Sequence, residues 1–167
     1  MKEMDTIASF QIDHICLLKG IYVSRKDNIQ DEVVTTFDIR MREPNREQAL
    51  NITSLHTIEH LGATFLRNDP EWKDRVVYFG PMGCLTGCYT LLRGDLTSSD
   101  IVDVITRMFE FMANFEGEIP GATAIGCGNY KLHNLALAKE DSKNYLEQTL
   151  KNLTDANLIY PKIKEEA

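Results

Sequence analysis

The stretch EVVTTFDIRM, residues 32–41, decides the fold class. Its residues alternate: Val33, Thr35, Phe37, Ile39 and Met41 point to one side, and Val34, Thr36, Asp38 and Arg40 to the other. Period-two alternation of this kind is the signature of a strand with two unlike faces. Pro44-Asn45 ends the strand, and a helical pattern follows to about Leu66, with Ile52, Leu55, Ile58 or Glu59, and Phe65 or Leu66 recurring at threes and fours. Asn45 is the expected helix cap, with Gln48 in the reciprocal position. Asp38 and Arg40 share a sheet face, where they serve either as a solvent-facing ion pair or as part of a site.

Working outward, residues 10–24 also alternate and are expected to form a strand. Two more strands are expected at 75–79 and 87–92, separated by the turn-rich Gly80-Pro81-Met82-Gly83. A helix capped by Ser98 or Ser99 follows, its apolar face made by Ile101, Val104, Ile105, Met108, Phe111, Met112 and Phe115, which reads as core. Residues 116–133 hold Pro120, Gly121, Gly126 and Gly128 and look irregular, and a last helix is expected over 134–153. Strands and helices do not alternate as βαβ units. The expected class is therefore α+β, a mainly antiparallel sheet packed against helices in a single domain spanning 1–167.

A chain of 167 residues with 43% hydrophobic and 26% charged residues can bury one core. No apolar run approaches the roughly 18–20 residues that span a bilayer. The opening MKEMDTIASF lacks the apolar stretch of a secretory signal, so a cytoplasmic location is expected. The net charge of −7 and pI of about 5.1, without a basic stripe, argue against nucleic-acid binding. The terminal KEEA reads as a solvated end.

The chemistry concentrates in His56-Thr57-Ile58-Glu59-His60. Residues four apart share a helix face, so His56 and His60 can offer two imidazoles to one metal ion. Glu59 lies on the adjoining strip, where it can act as a general base without being a ligand. Cys127, between Gly126 and Gly128, is the best further ligand, because a thiolate suits a borderline-soft divalent ion. Cys84, on the glycine-bracketed turn 80–87, is exposed enough for proton transfer, and a nearby positive charge would favour its thiolate. Free thiols in an intracellular chain point to metal binding or catalysis more than to disulfides.

These residues permit two arrangements. His56, His60, Cys84 and Cys127 can close a Cys2His2 structural zinc site; alternatively, His56, His60 and Cys127 hold the metal and leave an open position, which frees Cys84 for catalysis. The inverted His-x-x-Glu-His order also occurs in zinc peptidases, but that reading needs a downstream carboxylate ligand and leaves both cysteines idle.

The motifs His-Thr-Ile-Glu-His at 56–60, Pro-Met-Gly-Cys at 81–84 with Thr86-Gly87, and Gly-Cys-Gly-Asn-Tyr at 126–130 resemble, in order and spacing, those of the S-ribosylhomocysteine lyase (LuxS) family. Ser-Phe-Gln-Ile-Asp-His at 9–14, Phe-Asp-Ile-Arg at 37–40 and Pro44-Asn45 match as well, so the resemblance covers roughly residues 5–160. It implies that His56, His60 and Cys127 hold one divalent metal per subunit, Fe(II) natively, with Zn(II) or Co(II) as substitutes. It implies further that Glu59 and Cys84 are the acid–base pair and that Ser9, His14, Arg40 and Asp38 bind substrate. A homodimer with active sites at the subunit interface is also implied. Cys16 and Cys88 match no catalytic motif and are assigned to packing. Leu85 and Cys88 stand where other members carry polar and aromatic residues, which bears on the pocket lining.

The implied substrate, S-ribosylhomocysteine, joins a ribose to homocysteine through a thioether. Direct scission leaves the developing charge unstabilised. Two carbonyl migrations, with a Lewis-acidic metal polarising the oxygens, bring a ketone to C3 and open a β-elimination. The expected products are homocysteine and 4,5-dihydroxy-2,3-pentanedione, the autoinducer-2 precursor. The expected division of labour gives Cys84 the isomerisations and Glu59 the later proton transfers.

Overall fold

The computed structural model describes residues 4–163, so the terminal KEEA lies outside the described residues. Four strands, β1 (Gly20–Ile29), β2 (Glu32–Arg40), β3 (Val76–Pro81) and β4 (Gly87–Arg93), form one antiparallel sheet in the order β1-β2-β4-β3. Three helices, α1 (Ile52–Asn68), α2 (Ser98–Ala113) and α3 (Leu135–Gln148), complete an α+β architecture. No described helix is long and apolar enough to cross a membrane.

The alternation in β2 sorts the two faces. Phe37, Ile39 and Met41 join Ile21, Phe79, Cys88 and Leu92 in the core, against Leu55, Ile58 and Leu61 of α1 and Ile101, Ile105 and Met108 of α2. Phe37 pairs with Thr90 and Ile39 with Cys88, so paired residues across β2 and β4 face the same way. On the opposite face Asp38 sits between Tyr22 of β1 and Tyr89 of β4. That face is not solvent-facing, as one expectation held. Asp38 is 0% exposed and Arg40 2% exposed, because the C-terminal segment covers them through Tyr160. Arg40 has glycine for both cross-strand neighbours, Gly20 and Gly87. A Cβ on Gly87 would lie 2.1 Å from the Ile39 carbonyl oxygen, so the strands could not close with any larger residue there.

Several boundaries differ from expectation for local reasons. Residues 10–19 are not strand. Ala8–Phe10 is a 3-10 turn, and the Asp13 carboxylate accepts from the Ile15 and Cys16 amides, folding the backbone into a side-chain-stabilised turn. Cys16 is exposed there, not packed, whereas Cys88 is buried. Asn45 takes φ 61°, a left-handed turn conformation that asparagine tolerates, and so does not cap a helix. The cap of α1 is Asn51, whose side chain accepts from the Thr53 amide at 2.9 Å. Thr97, not Ser98 or Ser99, caps α2 in a reciprocal box with Asp100. The last helix, expected over 134–153, is capped by Asn134 and starts at Leu135, but Thr149 leaves helical geometry, and residues 150–152 finish as a 3-10 turn.

Candidate metal and acid–base site

α1 carries His56 and His60 one turn apart. Nδ1 of His56 lies 2.7 Å from the Leu132 carbonyl oxygen and Nδ1 of His60 lies 2.7 Å from that of Pro120. A carbonyl only accepts, so each Nδ1 carries the proton and each Nε2 is left as a bare donor atom for a metal. The irregular segment 116–133 therefore does specific work: its carbonyls set the tautomers of both histidines. It also delivers Cys127, whose sulfur lies 3.4 Å from Nε2 of His56.

A fourth group was not foreseen. His133 stacks on the His56 ring with centroids 3.9 Å apart, and its Nδ1 lies 3.1 Å from the Thr57 hydroxyl. That hydroxyl has one proton, which it donates to the Thr53 carbonyl at 3.0 Å. It accepts from the Asn134 amide, and by elimination also from Nδ1–H of His133. Nε2 of His133 then bears a lone pair, and it is a buried nitrogen with no hydrogen-bond partner. Burial, then the neighbouring His56 and His60, push the His133 imidazole down to about 4, which keeps it neutral at physiological pH. The clue in the sequence was scarcity: three of only four histidines meet here.

The ligand atoms of His56, His60, Cys127 and His133 all lie within 4.8 Å of one another. Tetrahedral coordination at bond lengths of about 2.0–2.3 Å separates neighbouring ligand atoms by roughly 3.3–3.8 Å, and the His56–Cys127 spacing of 3.4 Å falls in that range. Imidazoles plus a thiolate suit a borderline-soft divalent ion. The residues present fit a metal. Cys84 is not among them, which counts against the closed Cys2His2 arrangement, and among the described residues no carboxylate joins the group, as a peptidase would require.

Glu59 shares with His56 and Cys127 a cavity of ≈ 560 Å³, walled by Ile52, Leu55, Leu85 and Leu132. The turn bearing Cys84 supplies Met82, Gly83 and Leu85 to the same wall. Leu85 thus contributes an apolar surface to the pocket, whereas Cys88 belongs to the core and lines nothing. Leu85 adopts φ 60°, an uncommon conformation for a branched residue, in the turn closed by its amide on the Met82 carbonyl.

Behind that turn lies a chain of polar contacts. Arg40 gives Nε and Nη2 to Asp38 at 3.0 and 2.5 Å, and Nη1 to the Thr86 hydroxyl at 2.8 Å. Nη1 also approaches the Cys84 sulfur at 3.8 Å. Since Thr86 accepts from Arg40, its proton is free to point at Cys84, 3.1 Å away. The sulfur therefore meets donors from both groups, the surroundings a thiolate requires. Burial opposes the Arg40 charge, and Asp38 more than restores it.

Ser9 lines a different cavity, with Ser24, Thr36 and Tyr89 on the sheet's other face. His14 bonds the Ile12 carbonyl through Nδ1. The described contacts bring neither residue to the metal group.

The family model for S-ribosylhomocysteinase (LuxS) matches residues 7–156. S-ribosylhomocysteine lyase of Phocaeicola vulgatus is 61% identical over 95% of this chain and 98% of its own length. The proteins of the same name from Porphyromonas gingivalis and Clostridium beijerinckii are 58% and 54% identical, each over 95% of this chain and 99% of their own.

Proposed function

The chain belongs to the S-ribosylhomocysteinase (LuxS) family, and from that premise we propose that it cleaves the thioether of S-ribosylhomocysteine at the cavity between α1 and the Cys84 turn. The products are homocysteine and 4,5-dihydroxy-2,3-pentanedione. One observation carries the reading: Glu59, with His56 and Cys127 of the ligand group, lines the same cavity as the turn that presents a donor-surrounded Cys84.

His56, His60 and Cys127 would hold the ion, with the His133 nitrogen beside them. When bound, a divalent ion supplies a Lewis acid for the substrate's carbonyl and hydroxyl oxygens. We assign Fe(II) as the native ion and Zn(II) or Co(II) as substitutes. Cys84, as thiolate, removes the proton from the carbon next to the C1 aldehyde and returns a proton to C1, moving the carbonyl to C2. A second such transfer moves it to C3. Glu59 then takes the C4 proton, the electron pair forms the C4–C5 double bond, and the C5–sulfur bond breaks with its electrons on homocysteine, whose thiolate takes up a proton; the C4 enol left behind gains a proton at C5 and loses its hydroxyl proton to become the dione. The apolar walls formed by Ile52, Leu55, Leu85 and Leu132 exclude water from the intermediates. Arg40 keeps positive charge beside Cys84, and Asp38, without exposed surface, supports it from behind.

Ser9 and His14 lie apart from the cavity and belong to the site of a partner subunit in a homodimer. The exposed Ile7, Phe10 and Ile15 beside them give that association an apolar surface. The enzyme works in the cytoplasm, where its thiols stay reduced, and needs neither nucleic acid nor membrane. The test is thiol release from S-ribosylhomocysteine by anaerobically prepared, ferrous- or cobalt-loaded protein. Release establishes the reaction; its absence from fully loaded protein overturns it.

A further inference from the structure

Residues 155–160 pack against the edge strand β1 and the start of α2, and end on a charged network that the proposed reaction uses. Asn157 gives its side-chain amide to the Lys19 carbonyl at 2.9 Å, and its own carbonyl sits where a Cβ on Gly20 would be. The Tyr22 hydroxyl shares its proton between the Leu18 carbonyl at 2.9 Å and the Ala156 carbonyl of the segment at 3.1 Å. So anchored, the segment lays the Tyr160 ring flat on that of Tyr22, with centroids 4.7 Å apart and 11° between planes. The Tyr160 hydroxyl donates to Asp38 Oδ2 at 2.6 Å.

We propose that Tyr160 is a positioning residue for Cys84, acting through Asp38 and Arg40. Asp38 is fully buried, and among the described residues its carboxylate is oriented by Nε of Arg40 on one oxygen, and by Nη2 of Arg40 with the Tyr160 hydroxyl on the other. With two atoms of its guanidinium bound to that carboxylate, Arg40 directs Nη1 at Thr86 and the Cys84 sulfur. The hydroxyl at 160 thereby withdraws negative charge from Asp38 and fixes the plane of the guanidinium. Burial and the Asp38 charge keep Tyr160 far above the ordinary phenol range, so it remains a donor throughout the working pH. Tyr160 lies beyond residues 7–156, the stretch matched to the family. The coupling rests on Cys84 being the proton-transfer group.

Other titratable groups around Arg40 and Cys84 are Tyr22 and Arg25 of β1, Tyr89 of β4, Glu43 after β2 and the buried Tyr145 of α3. Replacing Tyr160 by Phe alters none of them, keeps the stack on Tyr22 and leaves Arg40 fully bonded. Metal-loaded wild type and Tyr160→Phe should be alkylated with iodoacetamide across pH, and labelling followed by mass on the Cys84 and Cys16 peptides. Cys16, also exposed, is an internal reference.

With the hydroxyl gone, Cys84 labelling near neutral pH should slow about three- to ten-fold against Cys16, with its pH midpoint moved upward. In the same variant kcat should fall in similar proportion with KM little changed. An unmoved Cys84 midpoint overturns the coupling even if Tyr160→Phe melts earlier, since a merely structural bond lowers Tm without touching the thiol. The two readings fail separately. Wild type that releases no thiol from substrate sinks the reaction, whatever the alkylation shows. Release that needs Cys84 but ignores the Tyr160 hydroxyl sinks only the coupling.

Discussion

The Cys127 sulfur lies 3.4 Å from Nε2 of His56, across 71 residues of sequence. Nothing in the helix holding His56 specifies that approach; it follows from how the segment 116–133 is tied down. The Pro120 carbonyl binds Nδ1 of His60 and the Leu132 carbonyl binds Nδ1 of His56, at either end of the loop that bears Cys127. The same two bonds fix the histidine tautomers and bring the cysteine into position.

Cys84→Ala should separate chemistry from metal binding. The sulfur bonds Thr86 and Arg40 and is no member of the ligand group. Turnover should fall at least about 10²–10⁴-fold, the scale of a lost general acid–base group. Metal content, measured by atomic absorption, should stay at the wild-type level. Metal lost together with the thiol would return Cys84 to the ligand set.

Cys127→Ala and His133→Gln should rank differently in metal retention. Cys127 contributes the only sulfur in the group and should be indispensable. His133 stacks on His56 and presents one nitrogen from the side. Its loss should weaken metal affinity by about 10–100-fold, as removal of supporting groups around a site commonly does. Competition with a chelator gives both values. Equal loss in the two variants would make His133 a full ligand and leave no open position.

The reach of the sequence follows these same contacts. Period-two alternation at 32–41 and the apolar stripe of α2 were legible because each depends on its own residues facing one core. His56, Glu59 and His60 were legible because helical spacing sets their faces. The structure of residues 10–19 was not, since a turn closed by the Asp13 side chain overrides alternation that looks like a strand. Nor was the capping residue of α1: both Asn45 and Asn51 suit the role, and only the left-handed backbone at Asn45 decides between them. His133 and Tyr160 escaped because each acts through a long-range contact, with Thr57 and with Asp38, that no local pattern encodes.

Gly87→Ala should damage fold and site together. Gly87 pairs with Arg40, and an added Cβ would stand 2.1 Å from the Ile39 carbonyl oxygen, against the backbone of β2. The strands must part, which should cost about 1–3 kcal/mol as overpacking does. Parting them also moves Arg40 away from Thr86 and Cys84. Urea unfolding should show the lower midpoint, and an unchanged midpoint would mean that β2 and β4 slide without loss.

Stability should fall in acid through Asp69, the residue that ends α1. Its carboxylate accepts from the Glu71 and Trp72 amides and from Nη1 of Arg107 on α2, joining two helices. Burial raises its proton affinity, but Arg107 and the two amides outweigh that and hold it below the ordinary carboxylate value of 3.8. A depressed folded-state value means that the unfolded chain binds the proton more readily. The stabilisation is therefore complete above about pH 5 and disappears as pH falls through the folded-state value. Asp69→Asn removes it at every pH. The difference in Tm between wild type and Asp69→Asn, measured from pH 7 downward, should be constant to about pH 5 and then shrink. A difference that persists unchanged at pH 2 would mean that the carboxylate contributes by shape alone and that its charge does not hold α1 to α2.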